Sequence, residues 1–512
     1  MILENRNSKV VKSKINLSVL KKFVGQTMVY GISTILSRLL NFILTPIFTR
    51  TYAAAVYGVF TKMYSWASII NAILAFGMET TYFRYLNKFE DKKQQVYNNS
   101  FLVVAFIATL FLITGLVFTD PITRWLVNND TSNFADQRKY VQYFVWLLFS
   151  DAICIIPFAK LRADGKPFRY SLIKFLNILT YVCLCLFFIY GIPAIIKNDL
   201  PTANFFASWF REKWVGYVFI ANLVASVLTF VCLLPEFLKI QLKFDKGMFA
   251  KMLSYSWPIL VANLSFIVNE NLDKILLDKY STETQVGIYG AVCKIAIFMS
   301  IFNTAFRLGA EPFFFSHAKE KNARNTYADI LKYFVIALAI LFVALVANIE
   351  ILKYFISRDS AHIAEYWVGL PAVPYLLLGY VCLGIYMNLS IWYRLSDQTK
   401  FGLYISVIGA VITIVLNIVL IPKYSYMGSA WVSMLAYFVM MVLSYVLGQK
   451  YYPIPYNLKK ISAYLISSTI IVFSSFFIFN RNIYIGNALL IGFVATIFYF
   501  EKSELKRFFK RA

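Results

Sequence analysis

Residues 38–79 read RLLNFILTPIFTRTYAAAVYGVFTKMYSWASIINAILAFGME, and residues 270–311 read ENLDKILLDKYSTETQVGIYGAVCKIAIFMSIFNTAFRLGAE. The two stretches lie 232 positions apart and align without a gap, with 11 identities in 42 positions. Unrelated apolar segments would share roughly three or four. The identical residues of the first copy are Leu40, Ile43, Leu44, Tyr57, Gly58, Lys62, Ser68, Ile69, Asn71, Gly77 and Glu79. A duplication of this extent predicts two homologous halves within one fold.

The composition is that of a polytopic membrane protein. Of the 512 residues, 59% are hydrophobic and only 15% are charged, whereas soluble domains carry about 25% charged residues. A membrane span needs about 20 mostly apolar residues, and the first such run is too long for a cleaved signal peptide. We predict fourteen spans, at roughly 24–49, 57–85, 96–119, 140–163, 168–194, 214–238, 250–277, 286–315, 328–357, 366–394, 401–421, 427–449, 458–479 and 483–500. The predicted fold is therefore an all-α polytopic membrane protein with about 14 transmembrane helices.

The basic residues are concentrated in alternate loops, which predicts the orientation. If the N-terminus is cytoplasmic, the inside segments hold about 31 basic residues and the outside loops about 11. We therefore expect a multi-pass membrane protein with both termini in the cytoplasm. The net charge of +24 is then a topology signal that contacts anionic lipid, and no nucleic acid is expected as a partner. The six cysteines lie in apolar segments without metal-ligand spacing, so no metal site is expected.

The duplication copies spans one and two onto spans seven and eight. Because an offset of six spans is even, the copies share one orientation and form a parallel repeat about the membrane normal. A weaker repeat at offset 234 aligns Lys160, Leu161 and Lys166 with Arg394, Leu395 and Lys400. The predicted domains are a basic N-terminus (1–23), a six-helix N-lobe (24–238), a cytoplasmic linker (239–251), a six-helix C-lobe (252–450), two C-terminal helices (451–500) and a cytoplasmic tail (501–512). Two homologous lobes with ionisable residues at equivalent places are typical of a transporter.

The order of several short motifs resembles the multidrug/oligosaccharidyl-lipid/polysaccharide (MOP) exporter superfamily, and within it the Wzx-type oligosaccharide flippases. The motifs are Gly25-Gln26-Thr27, Tyr30-Gly31, Arg38, Pro46, Tyr57-Gly58, Gly77-Met78-Glu79 and Arg84, followed by Ile421-Pro422-Lys423-Tyr424-Ser425-Tyr426-Met427-Gly428-Ser429-Ala430, which is similar to that group's "IPxYGxxGAA" segment. The resemblance covers about residues 22–450 in order. None of the motifs is specific alone, and the likeness rests on their order and spacing.

The resemblance implies a protein of the bacterial cytoplasmic (inner) membrane that works by alternating access between its two lobes. Wzx-like proteins move undecaprenyl-pyrophosphate-linked oligosaccharides from the cytoplasmic to the periplasmic leaflet, for lipopolysaccharide, O-antigen or other surface polysaccharide. The implied partners are an anionic lipid-linked oligosaccharide, membrane lipid, and a polysaccharide polymerase with glycosyltransferases. The related lipid II flippases also have fourteen spans, the last two of which form a groove for the lipid tail, and the same role is implied for spans thirteen and fourteen here.

Charges within spans usually face a cavity, because each costs about 2.5–3.5 kcal/mol at a helix centre. Arg38, near the middle of span one, offers a bidentate fork for phosphate, or else forms a static pair with Glu270, which the repeat places opposite it. Lys62 and Lys294 occupy equivalent positions near the outer ends of their spans, where they either line a cleft or reach the headgroups. Arg307 lies deeper, one turn before Glu311, with which it can pair. We take Arg38, Lys62, Lys294 and Arg307 as the candidate cations for an anionic cargo.

A second set of residues is predicted to couple transport to an ion or to gate it: Glu270, Asp273, Lys274, Glu79, Glu311 and Asp151. Glu270 and Lys274 are one turn apart and either form only a partly neutralised pair or belong to a proton or cation site that is coupled to rocking of the lobes, with Asp273 as the carboxylate left over. Glu79 and Glu311 follow the repeated glycine near the inner ends of their spans, as expected of a gate or packing hinge. Asp151 has no charged neighbour within a turn and is either a protonated core residue or a cavity residue.

Two other functions compete with the flippase. A cation-coupled multidrug exporter of the same superfamily usually has twelve spans. A membrane polysaccharide polymerase or ligase usually has a long outer loop, but the longest outer loops predicted here, 120–139 and 195–213, hold around 20 residues each. We therefore expect a transporter rather than an enzyme, with no cofactor and with coupling to a proton, sodium or the membrane potential.

Overall fold

We analysed a computed structural model of the chain, in which the described residues are 43–127, 133–318, 320, 322–356, 362–396 and 398–509. This part of the chain is helical and contains no β-strand, which confirms the predicted fold class. The helices are α1 (Ala54–Ala75), α2 (Met78–Lys88), α3 (Lys93–Val117), α4 (Thr119–Leu126), α5 (Phe134–Ala163), α6 (Pro167–Leu186), α7 (Ile192–Lys197), α8 (Ala203–Ala207), α9 (Gly216–Phe237), α10 (Lys246–Tyr280), α11 (Glu283–His317), α12 (Ala323–Ala347), α13 (Ile349–Ile356), α14 (Ile363–Trp367), α15 (Val373–Leu389), α16 (Ile391–Leu395), α17 (Lys400–Tyr451), α18 (Leu458–Phe473) and α19 (Ile483–Phe509). Residues 43–51 are also helical, and short 3₁₀ or π turns lie at Glu90–Lys92, Phe187–Gly191, Leu370–Ala372 and Ser474–Ile478.

Twelve helical stretches of the described chain are long and apolar enough to cross a membrane. Most of the first predicted span, 24–49, lies outside the described residues. The predicted spans 401–421 and 427–449 are joined in α17, a 52-residue helix broken only at Ser425, whose φ of 49° is left-handed. Pro422 contributes to this break because it removes a backbone donor from the helix. The structure therefore supports a many-spanning helical fold, and the exact count of fourteen is approximate.

The α1–α2 junction bends the first helix pair at a glycine. Phe76 and Gly77 both adopt left-handed φ angles, of 48° and 65°. A Cβ at Gly77 would press on the carbonyl oxygen of Ser256 and the side chain of Ile259 in α10. Glycine is therefore required here both for its φ angle and for close approach, and the bend places Glu79 on the first turn of α2.

Helix α10 connects the two lobes. Its first half packs on α2, where the Tyr85 hydroxyl donates to the Lys251 carbonyl at 2.7 Å and the Arg84 guanidinium lies 3.9 Å from the centre of the Tyr255 ring. Its second half packs against α17. Pro258 lies between the two halves and is a natural place for the helix to bend.

The last two membrane helices, α18 and α19, pack on α12 and are held there by a buried carboxylate. Glu501 is 1% exposed. Its Oε1 accepts from Lys460 Nζ and from the Tyr464 hydroxyl, both at 2.8 Å, and its Oε2 lies 3.6 Å from Lys332 Nζ of α12. The carboxylate therefore ties both C-terminal spans to the second lobe.

Replacing Glu501 with glutamine is expected to loosen this attachment. The change leaves two ammonium groups without their buried counter-charge, and breaking a buried pair typically costs about 3–5 kcal/mol. We expect a lower melting temperature in detergent and faster proteolysis at residues 452–458. The matched control is Lys502→Gln, because Lys502 is the exposed neighbour; equal stability of the two variants would contradict the anchoring role.

Candidate functional site

A cavity of about 1250 Å³ lies between the two lobes. It begins near mid-span at Ser68 and Asn71 and extends to the helix ends at Glu79 and Lys400, the side that the loop charges predict to be cytoplasmic. Pockets for drug-sized ligands hold about 300–1,000 Å³, so this cavity has room for a larger cargo. The first lobe contributes lining residues from α1, α2, α5, α6 and α9, and the second from α10, α11, α15, α16 and α17.

Six described side chains on the cavity wall are acidic or basic: Glu79, Asp151, Lys174, Arg307, Arg394 and Lys400. Three of them, Glu79, Asp151 and Arg307, are among the predicted site residues. Asp151 is thus a cavity residue rather than a core residue, and its Oδ1 accepts from Ser226 Oγ at 2.7 Å.

The sequence analysis missed the other three basic residues. Lys174 lies on α6, with its Nζ 4.3 Å from the centre of the Phe158 ring. Lys174 is a charged residue inside a predicted span, and this alone would have made it a candidate cavity residue. Arg394 and Lys400 lie at the ends of predicted spans. Because we counted them as loop residues, we did not predict that they line the mouth of the cavity.

At the opposite end of the bundle, an ion pair joins the lobes. Lys62 Nζ of α1 lies 2.8 Å from Glu283 Oε1 and 3.2 Å from Asp278 Oδ1, and the Lys62 side chain is 2% exposed. It also donates to the Leu126 carbonyl at 3.3 Å. Lys62 therefore holds the two lobes together in this conformation and is absent from the described cavity wall. Neither of its acidic partners was singled out by the sequence analysis.

Backbone contacts complete the closure at the Lys62 end. Glu365 Oε2 of the second lobe accepts from the Ala54 amide at 3.0 Å, so one lobe supplies a carboxylate at the N-terminus of the other lobe's helix α1. The Tyr366 hydroxyl donates to the Tyr52 carbonyl at 2.8 Å. A Cβ at Gly287 would overlap the Ala54 carbonyl, which shows how closely α1 and α11 cross.

Each lobe has its own ion pair at the open mouth of the cavity. Glu79 pairs with Arg162 in the first lobe, and Glu311 Oε1 lies 2.5 Å from Arg394 Nη1 in the second. Glu79 and Glu311 are 232 positions apart, and so are Arg162 and Arg394. The 232-residue repeat therefore extends as far as Arg394, and the sequence alignment of this loop at offset 234 was wrong by two residues.

The polar residues of α10 lie in two environments. Asn263 lines the cavity, whereas Asp273 is buried within the second lobe. Asp273 Oδ1 lies 2.9 Å from Lys274 Nζ, and its Oδ2 accepts from the Tyr289 hydroxyl at 2.7 Å. Lys274 Nζ also donates to the backbone carbonyl of Glu270 at 2.7 Å. Asp273 thus contacts its neighbour Lys274, a pair that the one-turn spacing of the sequence did not predict.

Lys294 does not line the described part of the cavity wall. Lys294 is half-buried on α11, and the positions 232 residues before Asp278 and Glu283 hold Pro46 and Thr51. The repeat thus gives Lys294 no equivalents of the two carboxylates that bind Lys62. Arg38, our first candidate for a phosphate contact, lies outside the described residues, so its role stays a prediction.

Two protein-family models match the chain. The model described as "Polysaccharide biosynthesis protein" matches residues 23–315, which is more than half of the chain. The MatE model matches residues 258–419. The two matches overlap at residues 258–315, a stretch that includes the second copy of the repeat.

Two curated proteins are similar over most of their own length. "Lsg locus putative protein 1" of Haemophilus influenzae is 20% identical over 303 residues, covering 59% of this chain and 68% of that protein. "Uncharacterized membrane protein MJ1068" of Methanocaldococcus jannaschii is 22% identical over 407 residues, covering 75% of this chain and 76% of that protein.

Solved transporters share the fold. The lipid II flippase MurJ in an inward closed conformation superposes with a TM-score of 0.70 at 15% identity, covering 92% of this chain and 99% of the other. An inward-facing multidrug resistance MATE family transporter of the MOP superfamily gives a TM-score of 0.59 at 15% identity, covering 84% and 95%. At these identities the likeness concerns the fold alone.

Proposed function

The chain belongs to the polysaccharide biosynthesis protein family and is a multi-pass flippase or transporter of the MOP superfamily, and from this premise we propose that it moves a lipid-linked oligosaccharide across the membrane by alternating access. The cargo in this proposal is a polyprenyl diphosphate that carries a short glycan. It enters the cavity from the side that is open here, which the loop charges predict to be cytoplasmic, and leaves towards the other leaflet.

The charge of the cavity carries the proposal. The described lining has four basic side chains and two acidic ones. Charged groups in a low-dielectric cavity interact strongly with a cargo of opposite sign and repel one of like sign. A diphosphate diester is a fitting anion, and the arginine forks suit its oxygens.

The contacts at the two ends support alternating access. The Lys62 end is closed by an ion pair and by backbone contacts between the lobes, whereas the ion pairs at the Glu79 end lie within single lobes. Rocking of the lobes would break the first set and bring the two Glu–Arg pairs of the mouth towards each other. Helix α10, with Pro258 between its halves, is the element that bends.

Coupling to an ion is part of the proposal, and Asp151 is its best-supported residue. It lies on the cavity wall, where a proton can reach it, whereas Asp273 is closed off by Lys274 and Tyr289. Asp151→Asn keeps a hydrogen-bond acceptor for Ser226 but removes the titrating group. In proteoliposomes we expect the variant to lose any stimulation by an imposed pH gradient, while exposed-loop Asp164→Asn keeps it; stimulation of both to the same extent would contradict this assignment.

A multidrug exporter is the second candidate, because the MatE model matches part of the chain. Typical organic cations would meet the basic cavity wall, which disfavours them as cargo. The two candidates therefore differ in the sign of the charge that they would transport.

Depletion of the protein in its native host tests the proposal. We expect lipid-linked oligosaccharide to accumulate in the leaflet where it is made and surface polysaccharide to decline. Oligosaccharides that still reach the opposite leaflet but stay unpolymerised would instead indicate a polymerase. Unchanged lipid-linked oligosaccharide with increased sensitivity to organic cations would favour the multidrug exporter.

A further inference from the structure

Helix α9 has two opposite faces. Asn222, Ser226 and Thr229 of one face line the cavity, and Glu236, further along the same face, is fully buried. The other face carries exposed apolar side chains at alternating spacings of three and four residues, which are Val224, Val227, Val231, Leu234 and Leu238. Because α9 is long and apolar enough to span the membrane, this second face is the one in contact with lipid.

The lipid-facing side of α9 continues into the linker that joins the two lobes. Leu238 directly follows α9 and keeps helical dihedral angles, with φ of −62° and ψ of −17°. Its side chain is 84% exposed, and that of Leu242 is 86% exposed. Since Leu238 extends the lipid-facing row by one residue beyond the helix end, it lies where the acyl chains meet the headgroups.

Lysines accompany these leucines along the linker. Residues 239–251 contain four of them, which are Lys239, Lys243, Lys246 and Lys251. The last three are exposed. The one acidic residue of this stretch, Asp245, accepts from the Met248 amide at 2.9 Å and so caps α10. Lysines next to exposed apolar side chains at the end of a membrane span are typical of a segment that binds anionic headgroups.

The first lobe holds the linker backbone in place. Asn98 Oδ1 of α3 accepts from the Gln241 amide at 3.1 Å. The Asn99 side chain binds both backbone groups of Asp245: Oδ1 accepts from its amide at 3.0 Å, and Nδ2 donates to its carbonyl at 2.9 Å. Both asparagines are buried. The exposed leucines and lysines therefore project from a backbone of fixed path rather than from a loose chain.

We propose that the linker is a binding surface for the anionic lipid of the adjacent leaflet, with Leu238 and Leu242 among the acyl chains and Lys243 and Lys246 at the phosphates. The charge of the whole chain predicts only a general attraction to anionic lipid, whereas the linker gives that attraction a defined place. The surface belongs to the first lobe, because α3 holds its backbone. Bound lipid therefore steadies the first lobe at the point where α10 leads into the second. This inference goes beyond the proposed function and does not depend on the cargo.

A fluorophore on the linker tests the contact in the full-length protein. In a background without the native cysteines, Gln241→Cys provides the labelling site and keeps the backbone hydrogen bond to Asn98. The protein is reconstituted into liposomes of phosphatidylcholine and phosphatidylglycerol, in which one of the two lipids carries bromine on its acyl chains as a quencher. We expect both lipids to quench the label, and brominated phosphatidylglycerol to quench it more strongly at equal mole fraction.

Two double variants separate the roles of the charges and the leucines. Lys243→Gln/Lys246→Gln is expected to lower the association of phosphatidylglycerol relative to phosphatidylcholine by at least about tenfold, since each lysine at an anionic surface contributes about fivefold. Leu238→Ser/Leu242→Ser is expected to weaken quenching by both lipids, because the linker loses its hold on the acyl region. A melting temperature for each variant identifies misfolded protein.

Lys450→Gln/Lys459→Gln is the matched control, because it removes two exposed lysines of α17 and α18 and leaves the same net charge as the linker variant. It should keep the preference for phosphatidylglycerol, and so should Lys243→Arg/Lys246→Arg. Equal loss of the preference in the two glutamine variants would overturn the linker as the binding surface. Equal quenching of the parent protein by the two lipids would overturn its preference for anionic lipid. Quenching by neither lipid would show that water or another protein covers the linker, and would overturn the lipid contact itself.

Discussion

Replacing Lys62 with methionine is expected to open the Lys62 end of the bundle and to abolish transport. The substitution keeps the length of the side chain but leaves Asp278 and Glu283 of the second lobe facing the first lobe without their counter-charge. Loss of one partner of a buried ion pair costs about 3–5 kcal/mol. That cost falls on the conformation in which this end is closed, so the ratio of closed to open states should fall about 150- to 5,000-fold.

Labelling of a cysteine introduced at the cavity residue Asn71 measures this shift. In a background without the native cysteines, an impermeant thiol reagent should reach the cysteine from the Glu79 side in the parent protein and also from the Lys62 side in the variant. Lys62→Arg retains the pair and should behave like the parent. Lys294→Met removes the lysine at the equivalent position of the repeat, where no counterparts of Asp278 and Glu283 exist. We expect this variant to be labelled like the parent protein. An equal change in labelling for both lysine variants would contradict a role of the Lys62 ion pair in closing this end.

Replacing Gly287 with leucine is expected to block the same closure by steric overlap. A Cβ at this position would already overlap the Ala54 carbonyl of α1, and backbone cannot move aside as a flexible side chain can. Helices α1 and α11 would have to separate, at a cost at the upper end of the 1–3 kcal/mol typical of overpacking, or above it. We expect transport to fall at least about tenfold.

Gly492 provides the control for that substitution, because open space surrounds its Cβ position within 4 Å. Gly492→Leu should transport like the parent protein. The Gly287 variant should show the same cysteine labelling pattern as Lys62→Met, although its Lys62 is intact. Normal transport by Gly287→Leu would mean that the tight crossing of α1 and α11 is not needed.

The repeat allowed much of this organisation to be predicted from the sequence. It indicated that α1 and α11 are equivalent and that Glu79 and Glu311 match, and the structure gives each of these carboxylates an arginine at the same offset. The second half of that pattern, Arg162 and Arg394, was missed because similar residues lie two positions out of register in the same loop. Matching residue types favoured the wrong offset, whereas the ion pairs in the structure show which arginines are equivalent.

The partners of the buried charges were harder to predict, because they come from distant parts of the chain. Lys62 and Glu283 are separated by 221 residues. Spacing within one helix could not predict this pair, and the sequence therefore predicted only that Lys62 lines a cleft or reaches the lipid headgroups. Asp273 shows the limit of local spacing: one-turn spacing pairs Lys274 with Glu270, but Lys274 Nζ also lies 2.9 Å from Oδ1 of the adjacent Asp273. Lys174 and Asp151 share the cavity wall only because α5 and α6 are brought together by the fold.

The asymmetry of the two lobes has a functional consequence in this account. Each lobe has an ion pair at the mouth, whereas the repeat gives Lys294 no equivalents of the two carboxylates that bind Lys62. In this account the shared pairs serve the rocking motion, and the unshared contact distinguishes the two ends of the cavity.

Reconstituted transport tests the central claim most directly. Purified protein in liposomes is given a polyprenyl diphosphate disaccharide, and its arrival in the opposite leaflet is measured by cleavage with an added glycosidase. The account predicts movement well above that of protein-free liposomes, lost in Lys62→Met and retained in Lys294→Met. Failure to move the glycolipid, together with export of a fluorescent organic cation by the same preparation, would contradict it.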